Sequence, residues 1–535
     1  MLSFHSAFAL RTASLPTQPS LYLKRSLTIR QLNERRDGRQ RVVILGSGWG
    51  GYTLARRLDP KDFQIVIVSP RSYFVFTPLL ASTSVGTLEF RTALESLRSR
   101  GSRYEYYQGR AESIDFANNR VVIRETVRDP NVGLIKAYAN VEKDERALTS
   151  RIEESRGDVF PLSYDKLVLA VGSYSQTFGI PGVTEHAYFL KDIQDARRIR
   201  TKILSCFETA ALPTTPVQTQ KDLLHFAITG GGPTGCEFSA ELLDIIREDL
   251  QRFYPQLMQH VRITLFDVSP KILSMFDEKL GSYALDHFGR EGVTIKTNHK
   301  ILGLEQGLPV VADVEAPNAT VQASGYTLTV QNGDNIPRSM GCGMVVWSTG
   351  LMANPFVANR LNDSFAVPAG RVKSLAEDNL DARRLTACKV QRNLRSGSIV
   401  TDNHLRIQMK SESGSTATLQ DVFAIGDCAA CADRQYPATA QVASQQATWL
   451  AKHLNQGDID SVKQGFSFEN LGIMAYLGAF NGIVQLGKGR SVSGRAAFWM
   501  WRSVYLTKAM SWRNRLLIPI YWTINSIFGR DISRF

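Results

Sequence analysis

Short, continuous apolar runs punctuate the chain, and the most regular of them end in glycine. RVVIL (41–45) leads into Gly46, Gly48 and Gly51, spaced G-x-G-x-x-G; Tyr52 to Leu58 then has a helical pattern, and QIVIVSP (64–70) reads as the next strand. The same order recurs about 180 residues later. FAITGGGPTGCE (226–237) carries Gly230, Gly232 and Gly235, the helical stretch EFSAELLDIIREDLQRF follows, and VRITLFD (261–267) closes the unit at Asp267. Runs this uniformly apolar predict strands covered on both faces, as in parallel sheets. YDKLVLAVGS (164–173) and GMVVWSTG (343–350), which end in turns at Gly172 and Gly350, read as strands returning the chain between two such units.

The expected fold is α/β, with two Rossmann-like dinucleotide-binding domains, the first discontinuous and the second inserted into it. The expected boundaries are a basic tail at 1–40, a first nucleotide domain in two parts (41–221 and 351–465), a second at 222–350, and a C-terminal region at 466–535. Glycines at these positions permit a tight turn, close approach of backbone to a diphosphate, and packing of helix on strand. One glycine triplet would be weak in a chain holding 40 Gly; two, each between strand and helix, point to one site for FAD and one for a nicotinamide nucleotide. Candidate contacts are Gly46, Gly48, Trp49, Gly50, Gly51 and Gly172 in the first, and Gly230, Gly231, Gly232, Gly235 and Gly350 in the second. Asp267, at a strand end, can accept both ribose hydroxyls and disfavours a 2′-phosphate, so NADH is expected over NADPH. The first unit has Ser69 where such an acid would stand. In DVFAIGDCA (421–429), Asp427 follows a buried strand and precedes an expected helix, where a carboxylate can receive the flavin ribityl chain.

Charge changes the picture at the ends. The formal net charge is +13, but residues 1–40 hold seven Lys/Arg against Glu34 and Asp37, and residues 470–535 hold nine against Asp531. Together these account for the whole excess, so a nucleic-acid groove across the body is not expected. The N-terminal segment, acid-free before Glu34 and rich in Ser and Thr, has the composition of a mitochondrial transit peptide. The C-terminal segment interleaves Trp499, Met500, Val504 and Leu506 with Arg and Lys, broken at Pro519, as amphipathic helices in an anionic membrane interface would. No apolar run reaches the ~18 residues needed to span a bilayer. Six cysteines (206, 236, 342, 388, 428 and 431) do not suggest a disulfide framework, no calcium loop pattern occurs, and no metal site is expected.

The motifs taken together resemble the type II (alternative) NADH:quinone oxidoreductases. The carrying residues are ILGSGWGG (44–51), SPRSYFVFTPLL (69–80), GGGPTGCEFSAEL (230–242), FAIGDCA (423–429), ATAQVASQQA (438–447) and LGIMAYLG (471–478). That resemblance implies FAD in the first site, with Ser69 and Arg71 among its contacts, NADH in the second, and ubiquinone as acceptor. It implies that Glu237 is catalytic and that Gln441 and Gln445 lie beside flavin and quinone, with Ser444 and Tyr476 in the quinone site. It further implies a homodimer attached peripherally to the mitochondrial inner membrane as part of the respiratory chain, without proton pumping. Two rivals stand beside it: a thiol-using relative, because Cys428 and Cys431 have redox spacing, and an NADH-binding signalling flavoprotein resembling apoptosis-inducing factor.

Overall fold

The computed structural model describes residues 27–99, 101–127, 157–309, 321–322, 324–368, 371–372, 385–411, 414, 416–487 and 489–534. Its centre is a large mixed sheet. Strands Thr416–Ala424, Lys166–Leu169, Gln40–Leu45, Phe63–Ser69 and Glu105–Asp115 lie side by side in parallel, with Val42 opposite both Ile65 and Lys166. Antiparallel strands extend it at both edges. The strand from residue 416 completes a sheet begun at residue 40, so the first nucleotide domain is discontinuous. Every residue of Phe63–Ser69 is buried, as an apolar run inside a covered parallel sheet requires.

The second sheet is wholly parallel: Tyr188–Phe189, Met344–Trp347, His225–Thr229, Arg262–Phe266 and Val293–Lys296. Its edge strand Tyr188–Phe189 comes from before residue 222. A third, antiparallel sheet of Ile473–Gly478, Asn481–Gln485 and Ser491–Gly494 leads into helices Arg495–Lys508 and Trp512–Phe528. This C-terminal unit packs on the helix Pro233–Ile245 that follows the second glycine motif.

Three local expectations change. Residues 27–39 belong to the body: Leu32 is fully buried in the turn of helix Ile29–Glu34, and its carbonyl accepts from Gln64 Nε2 at 2.6 Å. Arg36 pairs with Asp165. The expected transit peptide otherwise lies in residues 1–26, outside the described ones. Pro519 does not end its helix, which runs from Trp512 to Phe528; the break comes at Ala509–Ser511, where Ser511 caps the second helix by accepting from Asn514 N. Asp427 itself lies in a 3-10 turn, Gly426–Cys428, and the strand Ala429–Cys431 follows before helix Ala440–Gln456 begins behind its cap Thr439. Pro437, two residues before Thr439, disfavours an earlier start.

Candidate functional site

Both glycine motifs form strand–turn–helix units whose helix N-termini are open. Gly46 has φ +114°, and a Cβ there would stand 2.2 Å from Ala170 O; at Gly51 it would stand 2.0 Å from Gly46 O. Only glycine fits such contacts. Gly48, by contrast, has free space around it and precedes helix Trp49–Arg57, which has no side-chain cap. The second motif repeats this: Gly235 is pressed on Gly230 O, while Gly232 is open ahead of the uncapped helix Pro233–Ile245. Uncapped N–H groups facing open space suit the diphosphate of a dinucleotide, so the residues present fit one such cofactor at each turn.

Around the first turn the side chains are already committed. Ser69, at the strand end, shares a 2.8 Å hydrogen bond with Ser47. Arg71 forms an ion pair with Asp192, a fully buried carboxylate that also accepts from Tyr73 Oη at 2.9 Å and caps helix Ile193–Ala211. Trp49 donates to Thr77 Oγ1 at 3.0 Å and packs against Phe74 and Phe76. Asp427 Oδ2 accepts from Ser173 Oγ at 2.9 Å, beyond the turn at Gly172, and Lys191 Nζ reaches the same serine. Neither Asp192 nor Lys191 belongs to a glycine motif, and nothing in their sequence neighbourhood marks them.

At the second turn Asp267 directly follows strand Arg262–Phe266. Its carboxylate accepts from the backbone N–H of Gly231 and from Ser269 N at 2.6 Å, which holds it at the rim of the glycine turn. Gly350, with φ +75°, lies against Gln176, where the two connections between the nucleotide domains cross. There Leu351–Ala353 pairs with Ser173–Ser175.

Helix Pro233–Ile245 carries Glu237, Glu241 and Asp244 on one buried face, and the C-terminal unit covers Glu237 and Asp244. Glu237 accepts from Trp501 Nε1 at 3.1 Å and from Tyr476 N at 3.3 Å. Burial pushes its carboxyl up to about 8, against these two donors. Glu241 accepts from Ser82 and Thr87. Asp244 accepts from Tyr476 Oη at 2.6 Å and Ala479 N at 3.1 Å, and burial with the neighbouring Glu241 pushes it up to about 7. Farther along, Asp249 and Glu248 hold Arg530 at 2.7 and 2.6 Å. Tyr476 therefore bridges two acids. Of this cluster only Glu237 and Tyr476 were legible beforehand; the spacing 237, 241, 244, 248 along a helix was the available signal.

Gln441 and Gln445 clamp the segment that leads into the C-terminal sheet. Gln441 Nε2 donates to Gly472 O at 2.6 Å and its Oε1 accepts from Leu471 N; Gln445 Nε2 donates to Glu469 O at 2.8 Å and its Oε1 accepts from Glu469 N at 3.0 Å. Both amides are thus spent on backbone. Gln446, outside the sequence candidates, accepts from Gly426 N at 2.7 Å and ties the same helix to the Asp427 turn. Ser444 Oγ is buried with no hydrogen-bond partner among the described residues. Cys428 and Cys431 are free thiols, and burial pushes Cys428 up to about 11.

Residues 40–373 match the pyridine nucleotide-disulphide oxidoreductase family, and residues 470–531 match the NDH2 C-terminal domain. A probable NADH dehydrogenase of Dictyostelium discoideum is 36% identical, over 96% of this chain and 95% of that protein. An internal alternative NAD(P)H-ubiquinone oxidoreductase A1, mitochondrial, of Solanum tuberosum is 34% identical over 93% of this chain and 88% of its own. The solved structure of NDH2 from Plasmodium falciparum in complex with NADH shares the fold, with a TM-score of 0.72 and 21% identity over 92% of this chain and all of that one. Two nucleotide folds, a covered acidic helix face and near full-length similarity lead to one conclusion: the chain belongs to the alternative NAD(P)H-ubiquinone oxidoreductases, within the pyridine nucleotide-disulphide oxidoreductase family.

Proposed function

We propose that this chain is a non-proton-pumping NADH:ubiquinone oxidoreductase of the mitochondrial inner membrane. The observation that carries the reading is Glu237. It lies one turn into the helix whose open N-terminus suits the NADH diphosphate, is closed off from water, and is held by Tyr476 and Trp501 of the C-terminal unit. A carboxyl raised to about 8 is largely protonated at neutral pH and can give a proton to a quinone being reduced. FAD, held by the first turn and Asp427, supplies the two-electron carrier between a nicotinamide and a quinone.

The chain's own residues divide the remaining work. Asp267 orients the NADH ribose. Gln441 and Gln445 act through the loop Glu469–Gly472 that they hold, and Ser444 and Tyr476 belong to the quinone site. Trp499, Trp512, Leu516, Ile520, Ile524, Ile527 and Phe528 are exposed on the two C-terminal helices together with Lys508 and Arg513. Such a face suits an anionic bilayer surface, from which quinone enters the site, or a second copy of the chain in a homodimer. No helix among the described residues is long and apolar enough to cross a membrane.

The test is NADH oxidation by the purified protein with a short-chain ubiquinone, compared with NADPH. Turnover that requires quinone and favours NADH is expected. No turnover with any quinone, or faster turnover with NADPH, would overturn the reading.

A further inference from the structure

We propose that Lys191 is the cation of the FAD site and acts through Ser173 on Asp427, fixing which carboxylate oxygen is left to receive the cofactor. The inference rests on the reading of the first nucleotide turn as the FAD site.

The sequence nominates Arg71 as the cation there, but its guanidinium is paired with Asp192. That carboxylate is fully buried and also takes the Tyr73 hydroxyl at 2.9 Å and Ile193 N at 2.7 Å. The Arg71–Asp192 pair is close to neutral and makes its own local structure.

Lys191 immediately precedes Asp192, and its position differs. Its Nζ donates to Ser173 O at 3.3 Å and to Ser173 Oγ at 3.2 Å, and no carboxylate among the described residues forms an ion pair with it. Burial lowers its pKa and the nearby Arg71 acts in the same direction, while the charges of Asp427 and Asp195 favour the ammonium. A positive charge that is partly desolvated and unpaired favours a nearby anion, and Asp427 is the carboxylate it reaches through Ser173.

The direction of the chain is fixed by donor chemistry. An ammonium can only donate, so Ser173 Oγ accepts from Lys191, and its single proton must go elsewhere. It goes to Asp427 Oδ2 at 2.9 Å. Asp427 Oδ1 receives no hydrogen bond among the described residues and is the atom left to accept from a hydroxyl of the bound cofactor. Without Lys191, the Ser173 hydroxyl can turn back towards other acceptors, and Asp427 loses both its orientation and its nearby positive charge. Lys191 is a positioning residue on this account, and it sets cofactor affinity.

The experiment measures FAD binding to deflavinated protein, by flavin fluorescence quenching, for wild type, Lys191→Met, Lys191→Arg, Ser173→Ala and the Lys191→Met/Ser173→Ala pair. Circular dichroism of each apo form checks that it is folded, and Lys191→Gln replaces Lys191→Met if that variant is not. Lys191→Met should raise the Kd for FAD about tenfold or more, the scale of one charge-assisted hydrogen bond, and Lys191→Arg should recover part of it. Because the two residues form one chain, the double variant should lose little more than either single one. A Kd within about twofold of wild type in folded Lys191→Met, or losses that add in full, overturns the proposal. A wild-type protein that binds no FAD would instead overturn the reading on which it rests.

Discussion

Trp501 donates its indole N–H to Glu237 at 3.1 Å, so the C-terminal helix and the second nucleotide motif share one buried hydrogen bond. The donor favours the carboxylate form, while burial favours the acid. Replacing Trp501 by Phe leaves the acid with Tyr476 N alone and should raise its pKa further, at a stability cost of about 1–3 kcal/mol. Chemical denaturation at pH 6 and pH 9 checks this: the loss should be larger at pH 9, where Glu237 is ionised.

Glu237 also gives the fold a pH dependence of known sign. Its pKa is raised from the ordinary 4.5 to about 8, so the folded chain holds a proton that the unfolded chain has lost. Stability from this group is therefore greatest below about pH 4.5 and declines as pH rises towards 8. Asp244, raised to about 7, acts in the same direction. Glu237→Gln should flatten the stability profile between pH 5 and pH 8, and the same variant should slow quinone reduction. Parallel profiles for variant and wild type would contradict the assignment.

Gln441→Ala removes both a donor and an acceptor from the loop Glu469–Gly472. Faster amide exchange at residues 469–472 is expected, together with a rise in KM for quinone that exceeds any rise in KM for NADH. If the two KM values rise equally, the loop does not shape the quinone site.

Cys428 has a thiol raised to about 11 and is fully neutral at physiological pH, which makes it a poor nucleophile. Replacing Cys428 and Cys431 together by Ser should change quinone-dependent turnover by less than about threefold, the effect of a small loss of packing stability rather than of chemistry. Loss of turnover in folded protein would restore the thiol-using alternative.

Arg530 joins Asp249 and Glu248 at 2.7 and 2.6 Å and donates to Thr87 Oγ1 at 3.0 Å. Arg530→Ala strands the buried Asp249 and should cost about 3 kcal/mol. Limited proteolysis should then cut first within residues 510–534.

Much of this arrangement can be seen in the chain before folding. Strands such as Phe63–Ser69 announce themselves because a sheet covered on both faces needs an unbroken apolar run, and Gly46 and Gly51 announce the turn because no side chain fits there. The partners of Arg71 and Asp427 were invisible because they lie 121 and 254 residues away, brought close only by sheet topology. Gln441 and Gln445 illustrate a different gap: residue type indicates that an amide will both donate and accept, but not whether a ligand or the backbone of residues 469–472 satisfies it. Pro519 misled because a proline forfeits its backbone donor and crowds the preceding turn, which usually breaks or kinks a helix, yet Trp512–Phe528 continues through it at a half-buried position.

The acidic face of helix Pro233–Ile245 is covered by Tyr476 and Trp501, which come 232 to 264 positions later in the chain than the acids they meet. While the chain grows, Glu237 and Asp244 stay in water and ionised. Docking of residues 470–530 on this helix therefore takes up protons from solution, so the covered state is favoured more strongly in a neutral compartment than in an alkaline one.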